Sequence, residues 1–179
     1  MEITTDIQLK GPVWAETIDQ LAPIFKTRTN YSIFMLSLSI GIMYDQRIKT
    51  FEGNEDIELA GDNQEDTTKS IAKSVPRNVI QNNDNGKLDF MFQAAIISTK
   101  TETYSEEDRL ELAFGEGKDF NKIAFLTEFA NFGVTKLAEQ VGETIIESMD
   151  NIKCFLVSTV EGNNFDINAI PDDIWLEDY

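Results

Sequence analysis

The segment YSIFMLSLSIGIMYDQR, residues 31–47, is apolar nearly all round, with only serines interspersed. A helix with this pattern has to be covered on every side, so we predict a central buried helix with Asn30 as its N-cap. Ser37 and Ser39 can bond to carbonyl groups of the preceding turn, and Gly41 lets a neighbour approach closely. A pair of buried strands is the competing interpretation of such an apolar run.

A second long helix is predicted around FLTEFANFGVTKL, residues 125–137, although Asn131 and Gly133 stand in its interior. Glycine inside a helix is less favourable than alanine by about 1 kcal/mol. Gly133 therefore needs a structural reason.

Shorter helices are predicted by apolar residues at helical spacing. The first begins near Val13 and is ended or kinked by Pro23. Another begins at Lys87, and its apolar stripe consists of Leu88, Phe92 and Ala95, widened by Phe90, Met91, Ala94 and Ile97. A third opens with Ser105 and Asp108, spaced as a capping pair, continues through Leu110, Leu112 and Phe114, and ends at Gly115 and Gly117. Residues 143–160 are predicted to be helical, although their β-branched end also suits a strand.

The remaining segments are predicted to be less regular. Residues 1–12 form an extended arm or short strand that ends at Gly11-Pro12. Residues 51–69 form an acidic excursion, and an irregular segment around Pro76 follows it as far as Gly86. The fold class is therefore mainly α: a compact single helical domain over residues 13–162, with an acidic loop insertion, possible minor β elements and an acidic aromatic tail at 163–179.

Composition and charge limit the function. The 179 residues hold 32 acids and 15 Lys or Arg, a formal net charge of −17, which disfavours strong direct binding to nucleic acid or anionic membrane. Lys69, Lys73, Arg77 and Lys87 form the only basic cluster. The lone Cys154, with apolar sequence neighbours, is predicted to be a buried thiol in a reducing compartment. We predict neither a signal peptide nor a membrane span, and so expect a cytoplasmic location.

No catalytic centre is predicted. The chain has no histidine, which removes the common triads, imidazole metal sites and the usual proton shuttle. QNNDNGKLDF lacks both end ligands of a calcium loop and is interpreted as a polar turn. Asp108, Glu116 and Lys118 resemble a nuclease pattern, but FGEGKD is a glycine-rich turn rather than a strand edge. We expect no catalytic residue, cofactor or metal, and interpret the row Phe114, Phe120, Phe125, Phe129 and Phe132 as core.

The tail carries the predicted partner-binding residues. They are Asp172, Asp173, Trp175, Leu176, Glu177, Asp178 and Tyr179. The aromatic residues either fold back onto the domain or anchor a partner, as aromatic residues in interfaces commonly do. If they anchor a partner, the flanking acids would suit a basic surface.

Three stretches together resemble the dnd-associated accessory proteins, which are encoded beside bacterial DNA-phosphorothioation and related anti-phage operons. They are NYSIFMLSLSIGIMYDQRI, LDFMFQAAIISTKT and FLTEFANFGVTKLAEQV, and they fall within residues 28–141. The resemblance implies a non-catalytic middle component of a bacterial defence system, such as an SMC-ATPase (Lamassu-like) system, that acts beside an SMC-like or RecF-like ATPase and a nuclease. It does not extend to the acidic insertion or to the residues after Gly142. The resemblance also suggests that Gly133, beside Asn131, lets another helix approach closely, with Phe129 and Phe132 filling the surrounding space.

Three functional hypotheses follow. The first is an adaptor or regulatory subunit of an anti-phage complex, with an SMC-like ATPase or a nuclease as its partner. The second is an inhibitor that mimics DNA through the carboxylates of residues 52–66 and the tail. The third is an enzyme whose metal is held by carboxylates alone.

Overall fold

Helices make up most of the residues that the computed structural model describes, which are 3–51, 73–115 and 120–162. The helices are α1 (Pro12–Phe25), α2 (Thr29–Tyr44), α3 (Arg77–Asn83), α4 (Lys87–Ser98), α5 (Glu106–Phe114), α6 (Lys122–Ala138) and α7 (Ile145–Gly162). The strands are β1 (Ile7–Leu9) and β2 (Lys73–Val75), and a 3-10 turn at Lys26–Arg28 joins α1 to α2. The predicted mainly α fold is confirmed. Contacts between Cα atoms divide the chain into two compact units, Met1–Glu139 and Gln140–Tyr179.

Helices α2 and α6 form the centre of the first unit. Residues 31–47 are indeed helical as far as Tyr44. The fully buried residues of α2 lie on about half of its circumference, and the opposite side is half-buried or, at Met43, exposed, so the predicted cover on every side is not observed. A Cβ atom on Gly41 would collide with the carbonyl oxygen of Phe129, and one on Gly133 would collide with that of Ser37. The two helices therefore run antiparallel with their backbones in close approach, which confirms the prediction for Gly133.

The predicted N-cap of α2 is wrong. The helix begins at Thr29 with Arg28 in the cap position, where no side chain makes a capping bond. Asn30 lies inside the first turn, and its Nδ2 donates to the carbonyl of Ser74 at 2.7 Å. The amide is used to hold β2 against α2 rather than to cap the helix.

A small antiparallel sheet joins the N-terminal arm to the segment before α3. Ile7 pairs with Val75 and Leu9 with Lys73, so the two strands are far apart in sequence. The irregular conformation predicted around Pro76 is wrong for the described part, because β2 precedes Pro76 and α3 follows it.

The described residues of the predicted basic cluster are held by separate partners, and Lys87 donates to the carbonyl of Asn83 at 3.2 Å. Lys73 pairs with Asp19 at 2.7 Å, and Arg77 donates to the carbonyl of Thr4 at 3.2 Å. Lys69 lies outside the described residues.

Helix α1 covers one side of the pair α2 and α6. It continues two residues beyond Pro23, to Phe25. Trp14, Ile18 and Leu21 are its large buried side chains. The indole Nε1 of Trp14 donates to Asn131 Oδ1 at 2.9 Å, which ties α1 to the middle of α6.

Helix α7 belongs to the second unit, and its helical conformation is confirmed over Ile145–Gly162. The hydroxyl of Thr144 accepts from the backbone N–H of Glu147 at 3.2 Å and so caps its first turn. The prediction that Cys154 is buried is wrong, because its side chain is exposed. Apolar neighbours in sequence point in different directions round a helix, so they do not cover the thiol.

Candidate protein-binding site

Several predicted site residues lie outside the described residues. These are the seven partner-binding residues of the tail, Asp172, Asp173, Trp175, Leu176, Glu177, Asp178 and Tyr179. The acids of residues 52–66 also lie outside, as do Glu116 and Lys118 of the nuclease-like pattern. Asp108, the third member of that pattern, lies in the first turn of α5, where its backbone N–H donates to the cap Ser105 at 3.0 Å. The predicted capping pair is confirmed.

The described residues contain a cavity of about 470 Å³ between the N-terminal arm and the first half of α6. Two of its polar side chains, Asn121 and Thr127, already have structural partners. Asn121 Oδ1 accepts from the N–H of Ala124, and Thr127 donates to the carbonyl of Ile123. Because these bonds stabilise α6 itself, neither of the two side chains is free to bind a ligand in the cavity.

Within the described ranges, no group of three or more acidic, Cys or His side chains is arranged to hold a metal ion. Over the same ranges, no helix has the length and apolar character needed to cross a bilayer.

The outer side of α4 exposes large apolar side chains. Leu88, Phe92 and Ala95 face the core, as the stripe predicts, and Ile96 is buried beside them. Phe90 is 70% exposed and Ile97 is 45% exposed, so the prediction that they widen the buried stripe is wrong. A step of two residues turns a helix through about 200°, which puts Phe90 nearly opposite Leu88.

Helix α5 shows the same arrangement. Leu112 and Ala113 are buried, whereas Leu110 is 56% exposed and Phe114 is 64% exposed. The prediction that Phe114 belongs to the core is therefore wrong, although Phe125 and Phe129 of the same aromatic row are buried as predicted. Leu110 and Phe114 are four residues apart and lie on one side of the helix.

The two exposed sides form one surface. Gln93 donates to the carbonyl of Ala113 at 3.3 Å, and Arg109 donates to the carbonyl of Ile96 at 2.7 Å, so α4 and α5 lie side by side and antiparallel. Since each helix buries its opposite side, their exposed apolar residues share the outer side of the hairpin. We call this surface the α4–α5 face. Its residues are Phe90, Ala94, Ile97, Leu110 and Phe114.

Acidic side chains border the α4–α5 face on α5. Glu106, Glu107 and Glu111 are exposed and lie next to Leu110 and Phe114 on the helix surface. None of the three carboxylates has an ion-pair or hydrogen-bond partner among the residues that the structure describes. The face is therefore apolar in the middle and negatively charged along the α5 edge.

The hairpin is anchored to the core at one end by Arg47. Its guanidinium donates to the carboxylates of Glu102, in the α4–α5 connection, and Glu128 of α6, the second at 3.1 Å. It also lies 4.9 Å from the ring centroid of Phe125. Only 11% of the Arg47 side chain is exposed, so these contacts fix the end of the hairpin in a partly desolvated site.

Asp45 also holds this end of the α4–α5 hairpin. Its carboxylate accepts from the hydroxyl of Thr99 at 2.5 Å and from the backbone N–H of Lys100 at 2.7 Å. Asp45 is the C-terminal cap of α2, so the residue that ends the central helix holds the first residues after α4. The two acceptor bonds and the Arg47 ion pairs together give the hairpin a defined position.

The α4–α5 face could have been found in part from the sequence. Phe90 and Ile97 are seven residues apart, and Leu110 and Phe114 are four apart, which are spacings of a single helix side. Which side faces outward depends on the position of α6, and that position is a tertiary feature.

The chain matches no protein-family model, no curated protein and no solved structure.

Proposed function

We propose that this protein is a non-catalytic adaptor or regulatory subunit that binds a protein partner through the α4–α5 face. The observation that carries the proposal is the exposure of four large apolar side chains on one anchored helical hairpin. They are Phe90, Ile97, Leu110 and Phe114.

The amount of exposed apolar surface supports a binding role. A large side chain presents about 150–250 Å², so these exposed fractions correspond to on the order of 400 Å² of apolar surface. Patches of that size on a soluble protein commonly mark interaction sites. The aromatic residues Phe90 and Phe114 have the character of interface anchors.

The anchoring of the hairpin also supports this role. Arg47 and Asp45 fix the connection between α4 and α5, and Phe92 packs against Phe125 of α6 with ring centroids 5.8 Å apart. A surface held in place before binding loses little conformational entropy when a partner arrives.

The biological setting is proposed from the sequence resemblance. The three stretches that resemble dnd-associated accessory proteins cover most of α2, α4 and α6. On that basis we propose a bacterial anti-phage complex as the setting, with an SMC-like ATPase and a nuclease as partners and the cytoplasm as the location.

The alternative function, a DNA-mimic inhibitor, depends on the carboxylates of residues 52–66 and of the tail. Those residues lie outside the described part of the chain. Docking by Trp175 and Tyr179 remains a sequence-based proposal for the same reason. The α4–α5 face is therefore the binding surface that we put to the test.

Affinity purification of the tagged full chain from its native host, followed by mass spectrometry, tests the proposed function. Wild-type protein is expected to recover an ATPase and a nuclease in stoichiometric amounts, and F90A/F114A is expected to lose them. The control I146A/M149A removes two exposed apolar side chains from α7 and should retain both partners. Recovery of a lone DNA-binding enzyme, unaffected by F90A/F114A, would instead favour the DNA mimic.

A further inference from the structure

We propose that the partner segment bound by the α4–α5 face is a basic amphipathic helix of another protein, lying along the hairpin. This inference rests on the proposed function and adds the chemical class of the segment that binds to the face.

The shape of the face suits a helix. From Phe90 to Ile97 the face extends about 10 Å along α4, or two helical turns, at about 1.5 Å per residue. Leu110 and Phe114 form a second apolar row on the antiparallel helix α5. An amphipathic helix laid on two such rows presents anchors at i, i+3 or i+4, and i+7, which is a recurrent mode of peptide recognition.

The negative charge along the α5 edge favours a partner segment that carries positive charge. Glu106, Glu107 and Glu111 are exposed and unpaired among the described residues, and they all belong to α5. Lys or Arg residues beside the apolar stripe of the incoming helix would meet these carboxylates. An acidic helix would be repelled both by them and by the net charge of −17.

A second copy of this chain is a poorer occupant. Each copy carries a net charge of −17, so two copies repel each other before contact. A stable interface of standard size needs about 800 Å² from each partner, whereas the four side chains supply on the order of 400 Å² of apolar surface. That area suits a single helical segment better than a dimer.

The chain's own C-terminal segment is also a poorer occupant by charge. Residues 161–179 hold six acids and no Lys or Arg. They would bring more negative charge to the edge that Glu106, Glu107 and Glu111 already occupy.

Binding of a synthetic peptide to the purified full chain tests the inference. The probe is a fluorescently labelled amphipathic helix of about 18 residues with a leucine stripe bordered by lysines. One comparison peptide has the same composition in scrambled order, and another has glutamate in place of every lysine. Dissociation constants are measured by fluorescence anisotropy at about 50 mM and about 300 mM salt.

Four variants separate the apolar contribution from the charged one. F90A/F114A removes apolar surface from the face, and I146A/M149A removes it from α7. E106Q/E107Q/E111Q removes three charges from the edge, and E16Q/E143Q/D150N removes three exposed charges from other helices and turns.

The wild-type chain is expected to bind the basic amphipathic peptide and neither comparison peptide. F90A/F114A should weaken binding about tenfold or more, because aromatic anchors dominate interfaces of this kind. E106Q/E107Q/E111Q should weaken it about fivefold at low salt and much less at high salt, where screening has already removed the attraction. Both control variants should stay within about twofold of wild type.

Several results would overturn the inference. One is that the wild-type chain does not bind the basic amphipathic peptide. Another is that the test and control variants weaken peptide binding equally, which would indicate non-specific attraction to an acidic protein. Self-association of the wild-type chain that F90A/F114A abolishes would identify a second copy as the occupant. A tenfold gain in peptide affinity in W175A/Y179A would identify the chain's own tail. If the peptide does not bind but recovery of partners from the host still depends on Phe90 and Phe114, the proposed function stands and only the proposed chemistry of the partner segment is wrong. If recovery of partners is also unchanged in F90A/F114A, the proposed function fails.

Discussion

At the residue scale, Asn131 shows why a helix accepts a polar residue in its buried interior. Its Oδ1 accepts from the indole of Trp14 at 2.9 Å, and its Nδ2 donates to the carbonyl of Ile48 at 3.0 Å. Both ends of the amide are used, so one side chain joins α1, α6 and the segment after α2. The sequence indicates that Asn131 is unusual, but only the structure identifies the two partners.

Replacing Asn131 by leucine is expected to lower the free energy of unfolding by about 2–4 kcal/mol. The change leaves the N–H of Trp14 and the carbonyl of Ile48 without partners in a buried site. Urea unfolding followed by circular dichroism measures the loss. Asn82→Leu, at an exposed position of α3, is the control and should change stability by less than about 0.5 kcal/mol. Equal stability of the two variants would show that the bonds of Asn131 contribute nothing.

Tyr31 has a buried hydroxyl without a hydrogen-bond partner in the described part of the chain. Burial raises the pKa of this phenol above its ordinary value of 10.0, and the nearby Asp84 raises it further, while Arg28 acts in the opposite direction. The folded state therefore keeps the phenol proton to a higher pH than the unfolded state does. The stability that depends on the neutral phenol is complete below about pH 10 and falls as the pH rises towards the folded-state pKa.

Tyr31→Phe is expected to be neutral or stabilising by up to about 1 kcal/mol near neutral pH, since it removes an unsatisfied polar group. Above about pH 10 its advantage over wild type should grow, because phenylalanine does not ionise. Urea midpoints of both proteins across this pH range provide the measurement, with Tyr104→Phe as a control for the loss of a phenol. An advantage that stays constant with pH would contradict the assigned role of Tyr31.

At the element scale, the close contact between α2 and α6 determines which helices are central. Gly41 approaches the backbone of Phe129, and Gly133 approaches that of Ser37, so each glycine faces a carbonyl of the other helix. Both glycines could be singled out in the sequence because each interrupts a strongly helical pattern. The register between the two helices could not be predicted, because it follows from the packing of two segments about 90 residues apart.

Gly133→Ala is expected to destabilise the protein by about 1–3 kcal/mol, although alanine favours helix formation. The added methyl group collides with the carbonyl of Ser37, which belongs to a helix backbone and cannot move independently. Thermal unfolding measures the effect, with the exposed substitution Ser98→Ala as the control. A stabilised Gly133→Ala protein would mean that α2 and α6 are further apart than described.

The elements that sequence reasoning missed depend on distant partners. Strand β2 has only three residues and exists through its pairing with β1, so no local pattern marks it. The local sequence suits Asn30 to a helix cap, but its side-chain amide donates to the carbonyl of Ser74, which is distant in sequence. The long helices α2 and α6 were predictable, because their apolar periodicity extends over several turns.

At the scale of the whole molecule, the helical core of the first unit anchors the α4–α5 hairpin, and none of the described residues of that unit covers the α4–α5 face. The core fixes the position of the hairpin through Arg47 and Asp45, but stability does not require Phe90 or Phe114 to be exposed. A partner would account for their exposure, which is the central claim.

Photo-crosslinking in the native host tests that claim most directly. A photoreactive amino acid is placed in turn at Leu110, at Phe114 and, as a control, at Glu16 on the exposed side of α1. We expect Leu110 and Phe114 to crosslink to the same protein, within a segment that reads as a basic amphipathic helix, and Glu16 to give no such product. Crosslinks that are absent at both face positions, or the same at all three, would contradict the claim.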